Sequence, residues 1–195
     1  MNIQIRHEPL SRLAEHAGLP ISFQVERVLD PVPDCGPRSG WTLQERLVKV
    51  PYLKNYDAIS GNSPVDWPRK FDMSHWGLLA ARVDARLVGG AVVAFRTDGV
   101  DLLKGRTDIV ALWDLRVAPD IRRRGVGSAL FAAVERWAVV RGCCQLKVET
   151  QNINVPACRF YAAQGCELRS IERLAYPELP GEIQFVWCKD LDGGN

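Results

Sequence analysis

The sequence predicts an α/β protein: a mixed, mostly antiparallel central sheet with a parallel βαβ unit at its centre, flanked by helices. Three observations predict it. A dense apolar run at 109–117 leads through a glycine-containing turn into a stretch with helical spacing that ends near 141. A second run, 145–150, alternates at period two. Upstream, apolar runs at 77–83 and 88–95 are separated by a short polar stretch, the pattern of an antiparallel hairpin. Strand, helix and strand in that order make a crossover, so 109–117 and 145–150 should run parallel.

The elements follow in chain order. Residues 21–30 alternate in part and read as a strand. Residues 30–37 hold three prolines and a glycine and read as loop. Residues 41–50 fit a short helix or an extended segment, and the pattern does not decide between them. Residues 60–70, with turn-formers and two prolines, read as loop. The aromatic residues of these connections, Trp41, Tyr52, Tyr56, Trp67 and Trp76, suit either a ligand pocket or core filling. The strand 109–117 is rich in Val, Ile, Leu and Trp, which favour a pleated surface, and Pro119 ends it. In the following helix Val126, Leu130, Val134, Trp137 and Ala138 fall on one face. Gly142 suits the left-handed residue past a helix end. Asn154 is positioned to cap a second, shorter helix, with Pro156 in its first turn, Ala157, Phe160 and Tyr161 at helical spacing, and Gly165 closing it. Residues 168–174 and 181–187 read as the last two strands.

Composition narrows the class. The chain has 195 residues, 47% hydrophobic and 25% charged, the balance of a folded protein of about one domain. One domain over 1–195 is therefore expected, with 1–75 its least legible part. The net charge of +2 provides no global field for nucleic acid. No apolar stretch approaches the roughly 20 residues a membrane-spanning helix needs. The N-terminal segment lacks the continuous apolar core of a secretory leader. A cytoplasmic protein with neither a membrane nor a nucleic-acid partner is expected. The six cysteines show no C-x-x-C spacing and the three histidines no ligand spacing, so no metal site is expected.

The segment that carries chemistry is 122–128, between strand and helix: Arg122, Arg123, Arg124, Gly125, Val126, Gly127 and Ser128. Two glycines let the chain bend tightly and leave backbone N–H groups pointing outward. The next helix adds its unpaired N–H groups and the positive end of its dipole. Together these form a cradle for a diphosphate, and arginines grip phosphate with paired bonds. A P-loop would need a Gly-Lys pair, which is absent. A dinucleotide fingerprint would need a third glycine where Leu130 stands.

These residues resemble motif A of the GNAT acetyltransferases, R/Q-x-x-G-x-G/A, with Arg122, Gly125 and Gly127 at the motif positions. A second family signature follows at the right distance: Asn154, Ala157, Phe160, Tyr161 and Gly165. The resemblance covers about 76–188, and the stretch 148–161 is similar to the streptothricin-acetyltransferase-like branch. Cys166 stands where the family often has an aromatic residue.

The resemblance implies acetyl-CoA as donor, with no metal, and a small amine-bearing molecule as acceptor, a homodimer being the family-level expectation. Backbone groups of Leu115, Arg116 and Val117 would pair with the pantetheine arm, and the N–H of Val117 would face the thioester oxygen. Residues 122–128 would hold the diphosphate. Asn154 would bond the pantetheine arm while also capping its helix. Tyr161 would protonate the departing thiolate. An alkylamine of pKa about 10.4 is mostly ammonium at pH 7, and freeing its lone pair costs about 4.6 kcal/mol, so a base is needed. Asp114 and Glu149 are the candidates, each also able simply to attract a cation or to pair with Arg or Lys. Direct attack in a ternary complex needs no enzyme nucleophile. Peptide or protein acetylation, and a non-catalytic acyl-CoA-binding module, are the alternative readings.

Overall fold

The computed structural model describes residues 2–34 and 40–191. In chain order the elements are β1 (Gln4–Glu8), α1 (Leu13–Ala17), β2 (Phe23–Asp34), β3 (Gly40–Lys54), β4 (Gly77–Val83), β5 (Arg86–Ala94), β6 (Ile109–Val117), α2 (Val126–Val139), β7 (Gln145–Gln151), α3 (Val155–Ala163), β8 (Glu167–Glu172) and β9 (Gln184–Asp190). The chain forms two compact units. The first comprises Met1–Ile21, Asn55–Val148 and Cys188–Asn195, and the second Ser22–Lys54 and Glu149–Trp187.

In the first unit the strands lie in the order β1-β4-β5-β6-β7. The first three pairings are antiparallel, and β6–β7 is the expected parallel pair. Asp84 and Ala85 join β4 to β5, both at positive φ (48° and 68°), as a two-residue hairpin turn requires. The strand β6 contains a bulge: Val93 faces Leu112 but Val92 faces Asp114, so Trp113 is the extra residue. The insertion shifts the pleat by one. Ile109 and Ala111 share a buried apolar cluster with Leu13, Trp67, Met73 and Trp76, and Trp113 packs against it. After the bulge, Asp114 and Arg116 come to that same side.

Consecutive glycines show where the two helices pack. A Cβ on Gly89 would touch Val126 and Leu130 of α2, whereas one on Gly90 would come within 2.2 Å of His16 Nδ1 in α1. Side chains of successive strand residues point to opposite faces, so α1 and α2 cover opposite faces of this sheet. The apolar stripe expected on α2 is buried at all five positions, Val126, Leu130, Val134, Trp137 and Ala138. His16 is only 1% exposed and has no room to retreat. Gly90→Ala is therefore expected to lower stability by about 1–3 kcal/mol, the usual cost of overpacking, measurable by urea denaturation.

In the second unit β2 and β3 form a long antiparallel ribbon, and Glu149–Trp187 supplies the end of β7, then β9 and β8 as neighbouring strands, with α3 packed on β2. Val25, Val28 and Ile153 are its small buried cluster. Arg27–Glu45 and Arg46–Asp30 ion pairs bridge the ribbon at 2.9 and 2.6 Å.

The mixed sheet and flanking helices match the fold class that the sequence predicts. Several local readings differ. Residues 41–50 are strand. The strand β2 continues through Pro31 and Pro33 to Asp34, where a loop was expected; 35–37 lie outside the described residues. The prolines are tolerated because, two apart, they share one edge. Pro31 presents its carbonyl away from β3, to Arg173 Nη2 at 2.9 Å, so no ladder donor is missing. The stretch read as loop at 60–70 contains a 3-10 turn, Pro64–Arg69, that buries Trp67. The strand β1 and the helix α1 were not legible: five residues each, with little periodicity. Trp67 and Trp76 fill core, while Trp41 and Tyr52 are exposed. No helix among the described residues is long and apolar enough to cross a membrane.

Candidate active site

The turn after β6 has the shape that its glycines suggest. A 3-10 turn, Pro119–Ile121, is followed by Arg123 at φ 64° and Gly125 at φ 85°, and α2 starts at Val126. Gly125 caps the helix in the left-handed conformation, where an L side chain is strained. A Cβ there would meet nothing within 4 Å, so the space beside the bend is open. The Ala129 N–H bonds the Gly125 carbonyl at 2.9 Å, and the N–H groups ahead of it have no intrahelical acceptor. Arg122, Arg123, Arg124 and Ser128 are exposed around this bend. Arg122 is partly engaged: its Nε donates to the Val117 carbonyl at 3.1 Å and its Nη2 to that of Pro20 at 3.2 Å. It ties the bend to the end of β6, while Arg123 and Arg124 are exposed beside it. Across the bend, Arg86 holds Asp120 through two bonds of 2.8 and 3.0 Å.

The two edges of β6 differ. Its ladder with β5 runs on to Val117, whereas its ladder with β7 stops at Leu112 opposite Val148. From Asp114 to Val117 the strand is laddered to β5, with no β7 partner inside the first unit. Such an edge accepts an extended ligand as an added strand. Leu115 and Val117 are half-buried here.

Asp114 and Arg116 point away from that edge into a buried ionic cluster of the first unit. His16 Nε2 donates to Asp114 Oδ1 at 2.7 Å. Arg116 Nε lies 2.9 and 3.0 Å from the two oxygens of Asp114, and its Nη2 reaches Oδ2 at 3.0 Å. The rest of the guanidinium clasps Asp57 at 2.7 and 2.8 Å and the Leu19 carbonyl at 3.1 Å. All five guanidinium N–H groups are thereby used. Burial alone would raise the Asp114 pKa, but the His16 bond and the Arg116 charge outweigh it and hold the carboxyl below its ordinary range.

The second unit carries Glu149, Asn154 and Tyr161. Glu149 follows Val148, the last residue laddered to β6. Tyr176 donates its hydroxyl to Glu149 Oε1 at 2.5 Å, and Gln184 Nε2 donates to Oε2 at 2.8 Å. Gln151 Nε2 donates to the Tyr176 oxygen at 2.9 Å. Burial, then the charge of Glu149, pushes the Tyr176 phenol well above the ordinary tyrosine range. Asn154 caps α3 as expected, its Oδ1 accepting from Ala157 N–H at 3.2 Å. Tyr161 lies in α3 with 6% exposure, its ring edge-on to Phe160 at 5.1 Å.

The first unit thus brings together Leu115, Val117 and the 122–128 bend, and the second places Glu149, Asn154 and Tyr161. The two candidate bases sit in different surroundings: Asp114 in a buried ionic cluster, Glu149 half-buried with Tyr176, Gln184 and Gln151 donating to it. Sequence reasoning missed His16, Asp57, Tyr176 and Gln184. The only signal for Tyr176 and Gln184 was their place around the last strand. Among the described residues no group of His, Cys, Asp and Glu is arranged to hold a metal ion.

Streptothricin acetyltransferase A of Bacillus subtilis (strain 168) is 29% identical over 150 residues, covering 75% of this chain and 78% of that protein. The structure of nourseothricin acetyltransferase superposes with a TM-score of 0.73 at 24% identity, covering 98% of this chain and 99% of that one. A Bacillus anthracis str. Ames protein described as a streptothricin acetyltransferase, solved in complex with acetyl coenzyme A, superposes with a TM-score of 0.74 at 22% identity over 97% and 99% of the two chains. At these identities the superpositions establish the fold. Residues 48–166 match the model of the acetyltransferase (GNAT) family, which spans both the diphosphate-type bend and the Asn154–Tyr161 segment, and the chain belongs to that family.

Proposed function

We propose that this acetyltransferase transfers the acetyl group of acetyl-CoA to a primary amine of a small streptothricin-type molecule, by direct attack with both substrates bound. The observation that carries the acceptor class is the similarity to streptothricin acetyltransferase A over three quarters of the chain.

The residues present fit the donor. The open space at Gly125, the N–H groups of Val126 and Gly127, and the exposed Arg123 and Arg124 would hold its diphosphate. The bare edge of β6 at Leu115 and Val117 would pair with its extended arm, and Asn154 would bond that arm from the start of α3. When bound, acetyl-CoA supplies an acyl group activated as a thioester. The Val117 N–H is the backbone donor for the acyl oxygen. Arg122, tied to the Val117 carbonyl, holds the next peptide along the chain.

Glu149 takes the proton of the acceptor ammonium and passes it to solvent; Tyr161 gives its phenolic proton to the departing sulfur, and the second proton shed by the nitrogen as the amide forms restores the phenol. Asp114 is the less available of the two: it is buried, and its oxygens are engaged by four close donor contacts from His16 and Arg116. Its work is to neutralise Arg116. Direct attack is favoured because burial raises the pKa of the Cys143 thiol, and that of Cys158 to about 11, so neither is an activated nucleophile. The same reading places the protein in the cytoplasm, where the free thiols of Cys143, Cys144 and Cys158 stay reduced.

The test is acetyl-CoA-dependent thiol release against streptothricins, aminoglycosides, polyamines, amino acids and peptides, with the acetylated product identified by mass spectrometry. Streptothricin-type amines should give the highest kcat/KM. A preference for peptides, or a kinetically competent acetyl-enzyme, would overturn the proposal.

A further inference from the structure

Around Glu149 lies a set of contacts that the reaction as described does not use. Tyr176 stands on the segment between β8 and β9. That segment is held by its own bonds: Leu179 N–H to the Tyr176 carbonyl at 2.9 Å, Glu182 N–H to the Leu179 carbonyl at 2.9 Å, and Arg173 to the Pro31 carbonyl at 2.9 Å. Its remaining charged contact, Glu182 with Lys54, is a separate buried pair. The phenol is therefore delivered to Glu149 by a tethered backbone. Both roles of its hydroxyl are set: it accepts from Gln151 and donates to Glu149 Oε1. Gln151 and Glu149 are two apart on β7 and so share a face, and Gln184 reaches the other carboxylate oxygen from β9.

We propose that Tyr176 is a positioning residue for catalysis: gripped by Gln151, its hydroxyl fixes the plane of the Glu149 carboxylate and keeps that carboxylate ionised, so that Glu149 meets an acceptor ammonium as a base. This rests on the assignment of Glu149 as the proton acceptor. An O–H donor at 2.5 Å to an oxyanion is a charge-assisted bond, which favours the ionised form over the protonated one. The raised pKa of the phenol keeps its proton in place, so Tyr176 is a donor at neutral pH. Gln184 donates to the other oxygen, and Gln151 Nε2 also lies 3.5 Å from Oε1.

The experiment is the pH profile of kcat/KM for the acceptor in Tyr176→Phe, Glu149→Gln and the double variant. Tyr176→Phe keeps the ring and removes one donor. Its kcat/KM should fall about tenfold at neutral pH, with the acidic limb moved up by about one pH unit and the affinity for acetyl-CoA unchanged. In the Glu149→Gln background the same change should cost less than about twofold, because the group it positions is gone. Gln184→Leu removes the second donor and should move the limb in the same direction. An unmoved limb in Tyr176→Phe beside a crippled Glu149→Gln overturns the inference alone, and so does an equal loss in both backgrounds. A fully active Glu149→Gln overturns the base assignment and the inference with it.

Discussion

Glu149→Gln is expected to lower kcat by about 10²–10³-fold while leaving the dissociation constant of acetyl-CoA unchanged, the range associated with loss of a positioned general base. The substitution preserves the shape of the side chain. An amide oxygen can still accept from Tyr176, so the fold around β7 should survive, and thermal melting will show whether it does. What disappears is the capacity to take a proton from an alkylammonium. The remaining activity should follow the fraction of acceptor that is already unprotonated, so the rate should climb with pH without the plateau of the parent enzyme. Steady-state kinetics from pH 6 to 10, with acetyl-CoA affinity from calorimetry, decide the matter. A variant that keeps its kcat within threefold would remove Glu149 from the mechanism. Tyr161→Phe is the companion measurement for the proton given to the departing sulfur, and its loss should also lie in kcat.

Arg116→Met should produce the largest loss of stability. Arg116 is 2% exposed and supplies every donor that Asp57 and the Leu19 carbonyl receive in this cluster, together with most of those to Asp114. Methionine fills much of the volume but leaves two carboxylates without their cation. Breaking a buried pair in this way costs about 3–5 kcal/mol, or about 10 °C in melting temperature for a chain of this size. The acid side of the stability curve should change as well. Because the folded-state pKa of Asp114 is depressed, its contribution is complete above the unfolded value near 3.9 and fades as the pH falls through the lower folded value. In Arg116→Met that dependence should flatten. Urea titrations at pH 3 and pH 7 measure both effects. An unchanged midpoint would mean that the cluster contributes little.

The parallel core was legible because its signals are local and redundant. The run 109–117, the glycine bend, the stripe from Val126 to Ala138 and the cap at Asn154 each point to one conformation, and their order leaves one topology. The residues 41–50 were ambiguous for a physical reason. Much of β3 is exposed, including Leu47, Val50 and Leu53, so its sequence lacks the inside–outside alternation that marks a half-buried strand. The proline-containing part of β2 misled because an edge is the one place where a strand tolerates the loss of a donor. In the candidate site, Tyr161 could be singled out from its motif position and Glu149 from its place on a strand of the parallel pair. Tyr176 and Gln184 could not, since the contacts that give them meaning join residues 27 and 35 positions distant from Glu149. His16 was equally hidden: it meets Asp114 across 98 residues of chain.

The extra residue in β6 has a consequence for how this segment can change. Up to Ala111 the strand keeps one phase, and from Asp114 onward it keeps the other. Trp113 absorbs that change of phase. Were the bulge flattened with Trp113 kept in the ladder opposite Val92, everything downstream would turn over, sending the Asp114 carboxylate beneath α2 against Val126 and Leu130 and presenting Leu115 to His16. Removing Trp113 altogether would instead leave Leu112 and Asp114 as neighbours on opposite faces, as their partners Val93 and Val92 already are, so the downstream phase would outlast the loss of the indole. The strand thus holds one spare residue, and an insertion here is graver than that deletion.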